Sequence, residues 1–118
     1  MLEQFEGHNV SLIGVSTDSF YSHNAWFADR EIFPNEITHP VVADTNHALS
    51  KAFGVLKCDL GVSYRGTIIV DDEGIVRSTT VTDLSAGRSP GEVLRTIQAL
   101  QSGGLCGVDW KSGDDFVA

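Results

Sequence analysis

The chain has 118 residues, 42% of them hydrophobic and 20% charged, enough for one globular domain with a limited core and too few for a second. Against 16 acidic side chains stand only 8 Lys and Arg, scattered along the sequence, and the formal charge of −8 argues against nucleic acid or an anionic membrane surface as partner. No apolar run approaches a membrane span and the start lacks the regions of a signal peptide. The two cysteines, Cys58 and Cys106, form neither a CxxC pair nor a His/Cys cluster, so the expectation is a cytoplasmic protein with no metal site and no disulfide framework.

Met1–Glu6 reads as the last turn of a helix, with Leu2 and Phe5 three apart and Gly7 as its stop. Val10–Ser16 is a short apolar strand, and Thr17, Asp18 and Ser19 offer N-caps for the segment after it. Phe20–Arg30 places His23, Trp26 and Phe27 on one side of a helix, where they read as packing or subunit-contact groups, His23 as a satisfied core histidine. Glu31–His39 is a loop and Pro40–Ala43 a second strand. Asn46–Phe53 is a helix with Leu49, Ala52 and Phe53 on its apolar side and Gly54 as its stop.

The stretch Gly61–Gly74 organises the rest. Its β-branched run Thr67–Val70 predicts a buried central strand, stopped by the solvated turn Asp71, Asp72, Glu73 and Gly74, with Ile75–Val81 returning antiparallel. Arg65 stands just before that strand. A guanidinium at the mouth of a buried sheet exerts its charge most strongly, which makes Arg65 a candidate for chemistry; a pair with a surface carboxylate is the alternative.

Ser89, Pro90 and Glu92 specify a helix start, and Val93, Leu94, Ile97 and Leu100 give that helix one apolar face up to Gly103. The remaining residues show no period. Residues 103–118 therefore read as an arm outside a core of residues 1–102, and the arm holds Cys106 beside Trp110. A small buried hydrophobe is the alternative reading of Cys106. Strand, helix, strand, helix, hairpin, helix is the order of an α/β fold with a mixed sheet flanked by helices.

The motifs SLIGVSTDS, SHNAW, PVVAD, FGVL, SYRGTIIVDDEG, the GRS before the helix and LCGVDWKSGD follow the order and spacing of typical two-cysteine peroxiredoxins. The chain is most similar to their bacterial alkyl hydroperoxide reductase branch. The resemblance implies a thioredoxin-like fold, reduction of hydrogen peroxide and organic hydroperoxides without a cofactor, and an obligate dimer that often assembles into rings. It also implies electrons from a thioredoxin-like or dedicated disulfide reductase.

Carried over by position, Arg65 matches the arginine that holds the peroxidatic thiolate and orients the peroxide. Arg88 matches a second arginine near the same pocket, and Cys106 matches the resolving cysteine, which closes an intersubunit disulfide before the sulfenic acid is over-oxidised. Cys58 matches no catalytic cysteine and reads as an inert thiol. Gly107 stands where the family usually has proline, and the outer edge of Ile75–Val81 is the expected dimer contact.

The family's segment with the peroxidatic cysteine would precede Met1, so the resemblance implies an N-terminally truncated member, inactive as a peroxidase on its own. A strand of that segment would lie between Val10–Ser16 and Thr67–Val70; without it these runs are expected to pair directly or to take a strand from elsewhere. A non-catalytic thioredoxin-like interaction or chaperone-like module is the alternative function.

Overall fold

The computed structural model describes residues 2–117. In chain order its elements are α1 (Leu2–Gly7), β1 (Gly14–Ser16), α2 (Phe20–Phe27), β2 (Val41–Ala43), α3 (Ala48–Ala52), β3 (Leu56–Lys57), β4 (Val62–Ser63), β5 (Arg65–Val70), β6 (Val76–Thr82) and α4 (Pro90–Ser102). Two compact units result, one of Ser11–Tyr64 and the other of Met1–Val10 with Arg65–Ala118. Met1, the first residue of the expected opening helix turn, lies outside the described residues.

In the unit Ser11–Tyr64, β1 runs parallel to β2, with Gly14 opposite Val41 and Ser16 opposite Ala43. The strand is shorter than expected because only the residues facing β2 have ladder partners; Leu12 and Ile13 are exposed. Between the two strands α2 starts where Ser19 caps it, its hydroxyl accepting the Ser22 N–H at 3.1 Å. The helix ends at Phe27, three residues short of Arg30. There the backbone tightens, with Asp29 N–H donating to the Trp26 carbonyl, and the Asp29 carboxylate takes the Glu31 N–H. The ring of Phe33 then stands edge-on to both Trp26 and Phe27.

His23 is buried as expected. The Ser16 hydroxyl donates to Asp18 at 2.8 Å and so accepts from His23 Nε2, 3.0 Å away. The expected apolar face of α3 is not the buried one. Ser50 is buried, while Ala52 and Phe53 are exposed, because the buried Asp44 carboxylate draws α3 down through the N–H groups of Leu49 and Ser50 and the Ser50 hydroxyl, at 2.7–3.0 Å. The Ser50 hydroxyl also lies 2.7 Å from that of Ser63, tying α3 to the β3–β4 hairpin, an element without a sequence signal. The turn of that hairpin carries the exposed Cys58.

In the other unit β5 and β6 are antiparallel, from Arg65 opposite Thr82 to Val70 opposite Val76. Asp71 closes their turn by accepting from Glu73 and Ile75 N–H, and these bonds, Ile75's foremost, hold its carboxyl below the usual carboxylate range. Gly74 supplies the left-handed conformation there, at φ 80°. The run Thr67–Val70 is half-buried with Val70 exposed, not a buried central strand, since β5 has a ladder on one side only. Parallel and antiparallel pairing both occur among the described residues, as three two-stranded ladders.

Ser89 caps α4, accepting from Glu92 N–H, and Gly103 at φ 73° ends it. Ile97 is buried on α4 and Phe5 on α1, and Gln101 of α4 donates to the His8 carbonyl at 2.7 Å just past α1. The segment after Gly103 has no regular structure, and within it Trp110 is only 5% exposed. Its indole donates to the Asp114 carbonyl at 3.1 Å and stacks on Phe116, and Val117 N–H donates to the Leu105 carbonyl. A large aromatic surface finds cover here without any periodic pattern to announce it.

Candidate functional site

Arg65 opens β5 and Arg88 stands just before α4, so the hairpin and the helix start bring the two guanidinium groups to neighbouring backbone. Arg65 Nε donates to the Leu84 carbonyl at 3.1 Å, and Arg88 Nη1 donates to the Gly66 carbonyl at 3.2 Å. Arg65 makes no ion pair among the described residues, whose salt bridges are Lys57–Asp59, Arg77–Asp71 and Arg95–Glu92. The surface-carboxylate alternative for Arg65 is therefore not realised. The side chains of both arginines are exposed rather than enclosed by a buried sheet, and a hollow of about 220 Å³ lined by Arg88, Thr67, Thr80, Thr82, Glu92 and Thr96 opens beside Arg88. Arginine in such a setting offers planar donors to an anion or a peroxide oxygen.

Cys106 lies beyond the other end of α4. Thirteen residues at about 1.5 Å each make α4 roughly 20 Å long, so the arginine pair and the Cys106 sulfur sit at opposite ends of one helix. The sulfur is partly buried, 3.8 Å from the Gly104 carbonyl and the Ser102 hydroxyl and 4.0 Å from the Ala99 carbonyl. Both cysteines are free thiols.

A third arginine, Arg95 in the first half of α4, has no signal of its own in the motifs. Arg95 Nε and Nη2 grip both Glu92 carboxylate oxygens at 2.7 Å, and its Nη1 donates to the Trp110 carbonyl at 2.8 Å. The Arg95 guanidinium holds the Glu92 carboxyl below its usual range, and Glu92 in turn raises Arg95, with smaller contributions from Asp109 and Cys106. The only sequence clue was the three-residue spacing of Glu92 and Arg95 on a helix. Among the described residues no three His, Cys, Asp or Glu side chains stand close enough to hold a metal ion, and no helix is long and apolar enough to cross a membrane.

A sequence model of the AhpC/TSA family matches residues 1–79. The chain is 43% identical over 113 residues to a putative peroxiredoxin of Bacillus subtilis, covering 94% of this chain and 63% of that protein. To a peroxiredoxin of Cynops pyrrhogaster it is 42% identical over 121 residues, covering 98% of this chain and 60% of the relative. Among solved structures it is similar to the reduced 2-Cys peroxiredoxin of Plasmodium vivax, with a TM-score of 0.90 and 36% identity over 98% of this chain and 62% of that one. It is also similar to the AhpC of Mycobacterium tuberculosis, with a TM-score of 0.81 and 38% identity over 92% and 60% of the two chains. The chain thus spans 60% to 63% of the length of these two relatives. With the family's pattern running through more than half of its residues and its fold shared with these solved structures, the chain belongs to the AhpC/TSA family, the peroxiredoxins, and has their thioredoxin-like fold.

Proposed function

We propose that these 118 residues carry the resolving part of a two-cysteine thiol peroxidase that reduces hydrogen peroxide and organic hydroperoxides. In this reading Arg65 and Arg88 hold a peroxidatic thiolate and orient the peroxide, and residues 103–118 form the arm that carries the resolving thiol of Cys106. The peroxidatic sulfur attacks the peroxide, becomes a sulfenic acid and releases an alcohol or water. Cys106 then attacks that sulfur, an S–S bond replaces the S–OH bond, and water leaves. A thioredoxin-like or dedicated disulfide reductase returns both thiols by dithiol exchange.

Neither cysteine of this sequence is set up as the first nucleophile. Cys58 lies in the β3–β4 turn and Cys106 follows α4, so neither opens a helix whose N-terminus would favour a thiolate. The peroxidatic sulfur is therefore assigned to residues other than these 118. The observation that carries the reading is the position of Cys106 one helix length from the arginine pair, which supports resolution between two copies rather than within one. The exposed Val76 and Val81 on β6 support edge pairing as the contact between those copies, and the free thiols fit a reducing, cytoplasmic setting.

The test uses a two-cysteine peroxiredoxin whose own resolving cysteine is serine, oxidised with one equivalent of hydrogen peroxide and mixed with this chain. A mixed disulfide through Cys106, absent in Cys106→Ser and unchanged in Cys58→Ser, is expected by mass. Without any such adduct, or with one through Cys58, the assignment of Cys106 falls. The chain alone, with dithiothreitol, is expected to consume no peroxide; turnover would remove the assignment of the first nucleophile to other residues.

A further inference from the structure

Of the chain's prolines, Pro34 follows Phe33, Pro40 follows His39 and Pro90 follows Ser89, so Ser89 carries the one hydroxyl that a proline directly follows. The fold presents it openly. Ser89 is exposed with an extended backbone, φ −108° and ψ 101°, and Gly87, Arg88, Pro90 and Gly91 around it are exposed too. A Cβ at Gly87 or Gly91 would meet nothing within 4 Å, so the stretch has open space on both sides of the serine.

Ser89 also lines the hollow of about 220 Å³ between the β5–β6 hairpin and the start of α4, together with Arg88, Thr67, Thr80, Thr82 and Glu92. Thr67 and Thr80 stand opposite each other across the ladder, and each threonine brings a hydroxyl able to donate. Arg88 commits Nη1 to the Gly66 carbonyl and makes no ion pair among the described residues, which leaves the rest of its fork for an anion. Glu92 is the carboxylate on this wall. Arg95 holds both of its oxygens at 2.7 Å, so its repulsion of a second anion is blunted.

We propose that Ser89 is a phosphorylation site for a kinase that reads serine followed by proline, and that the phosphate is received in the hollow by the Arg88 guanidinium and the threonine hydroxyls. Ser89 Oγ attacks the γ-phosphorus of ATP, the new O–P bond replaces the bond to the bridging β-phosphate oxygen, ADP leaves and the hydroxyl proton passes to the kinase's base. A group with roughly two negative charges and three acceptor oxygens then stands where a hydroxyl held one cap bond, from Glu92 N–H at 3.4 Å. Beside a guanidinium and at the start of α4, that charge strengthens the cap. On the reading of Arg88 as a peroxide-pocket arginine, the modification draws its charge away from the pocket.

The experiment incubates the chain with a proline-directed protein kinase and magnesium ATP and follows it by mass. One phosphate on Ser89 is expected, none in Ser89→Ala, with a rise in melting temperature of roughly 5 °C on modification. Arg88→Gln should still be phosphorylated but lose most of that rise. In the wild-type phosphoprotein the phosphorus resonance should titrate below the value of about 6 usual for a phosphate monoester, a measurement that serves if Arg88→Gln does not fold. No incorporation, or incorporation elsewhere than Ser89, overturns the site; an equal rise in Arg88→Gln, or an ordinary titration, overturns the seat in the hollow. Inorganic phosphate at millimolar concentration should leave the melting temperature of the unmodified chain unchanged. Protection by it that matches the phosphoprotein's and persists in Ser89→Ala would assign the hollow to a dissolved anion instead. None of these measurements involves peroxide or Cys106, so their failure and that of the mixed-disulfide assay are told apart.

Discussion

The ring of Phe116 fills the space beside Gly104 that a side chain would need: a Cβ there would come within 2.6 Å of ring atoms. The same ring stacks on Trp110, with centroids 5.9 Å apart and planes 13° from parallel. Gly104→Ala should therefore push Phe116 off Trp110 without breaking the fold, since Phe116 is half-exposed and has room to swing out. The expected loss is about 0.5–1.5 kcal/mol, the worth of an aromatic pair. Urea unfolding measures it, and an unchanged midpoint would mean the ring yields at no cost.

Trp110 is one of few buried apolar side chains, with Phe5, Val55 and Ile97, so its removal should be severe. Trp110→Ala should cost about 3–5 kcal/mol through the cavity it leaves. Typical margins are about 5–15 kcal/mol, so a weakly populated native state and early loss of structure in urea are expected. Phe116→Ala, at a half-exposed ring, should cost about 1 kcal/mol. Comparable effects of the two substitutions would contradict the burial of Trp110.

These tail residues also show where the sequence ceased to be legible. Caps and turns were readable because each is decided within a few residues: Ser19 and Ser89 accept at helix starts, and Gly103 and Gly74 take the left-handed conformation that their positions require. Strand extent was not, because it depends on a partner far along the chain; Leu12 and Ile13 have the apolar character of a strand and no residue of β2 opposite them. The inward face of α3 went to Ser50 rather than Phe53 because a carboxylate elsewhere, Asp44, supplied acceptors. The family motifs pointed to Arg65, Arg88 and Cys106, whereas Arg95 and Trp110 meet only through a bond to a backbone carbonyl, and side-chain identity is nearly silent about such bonds.

Asp44 predicts an acid-labile unit. The Ser50 hydroxyl, and then the N–H groups of Ser50 and Leu49, hold its carboxyl below the usual range. A depressed folded value means that its stabilisation is complete above the unfolded value of about 3.9 and is lost as pH falls through the folded one. Asp44→Asn cannot accept at its amide nitrogen, so it should lower the melting temperature at pH 7 by roughly 5 °C and flatten the fall in stability below pH 4. Thermal scans from pH 7 to pH 2.5 compare the two slopes; parallel curves would assign the acid limb to other carboxylates.

The cap of α4 gives a smaller and cleaner effect. Ser89→Ala removes the acceptor for Glu92 N–H and should cost about 1 kcal/mol, while Ser89→Asp, which accepts the same bond and adds a negative charge at the helix start, should be neutral or stabilising. Urea midpoints of the pair check the order.

The unit that holds every candidate functional group is assembled from two stretches far apart in the sequence: His8 meets Gln98, 90 residues away, and Gln101, 93 away. Ser11–Tyr64, by contrast, is one uninterrupted stretch. During synthesis that middle stretch emerges whole and is free to condense early, whereas α1 must wait on the ribosome for α4 before its partner exists. Closing so long a loop is slow relative to local steps, so the last kinetic phase of folding is expected to be the one that brings α1 to α4.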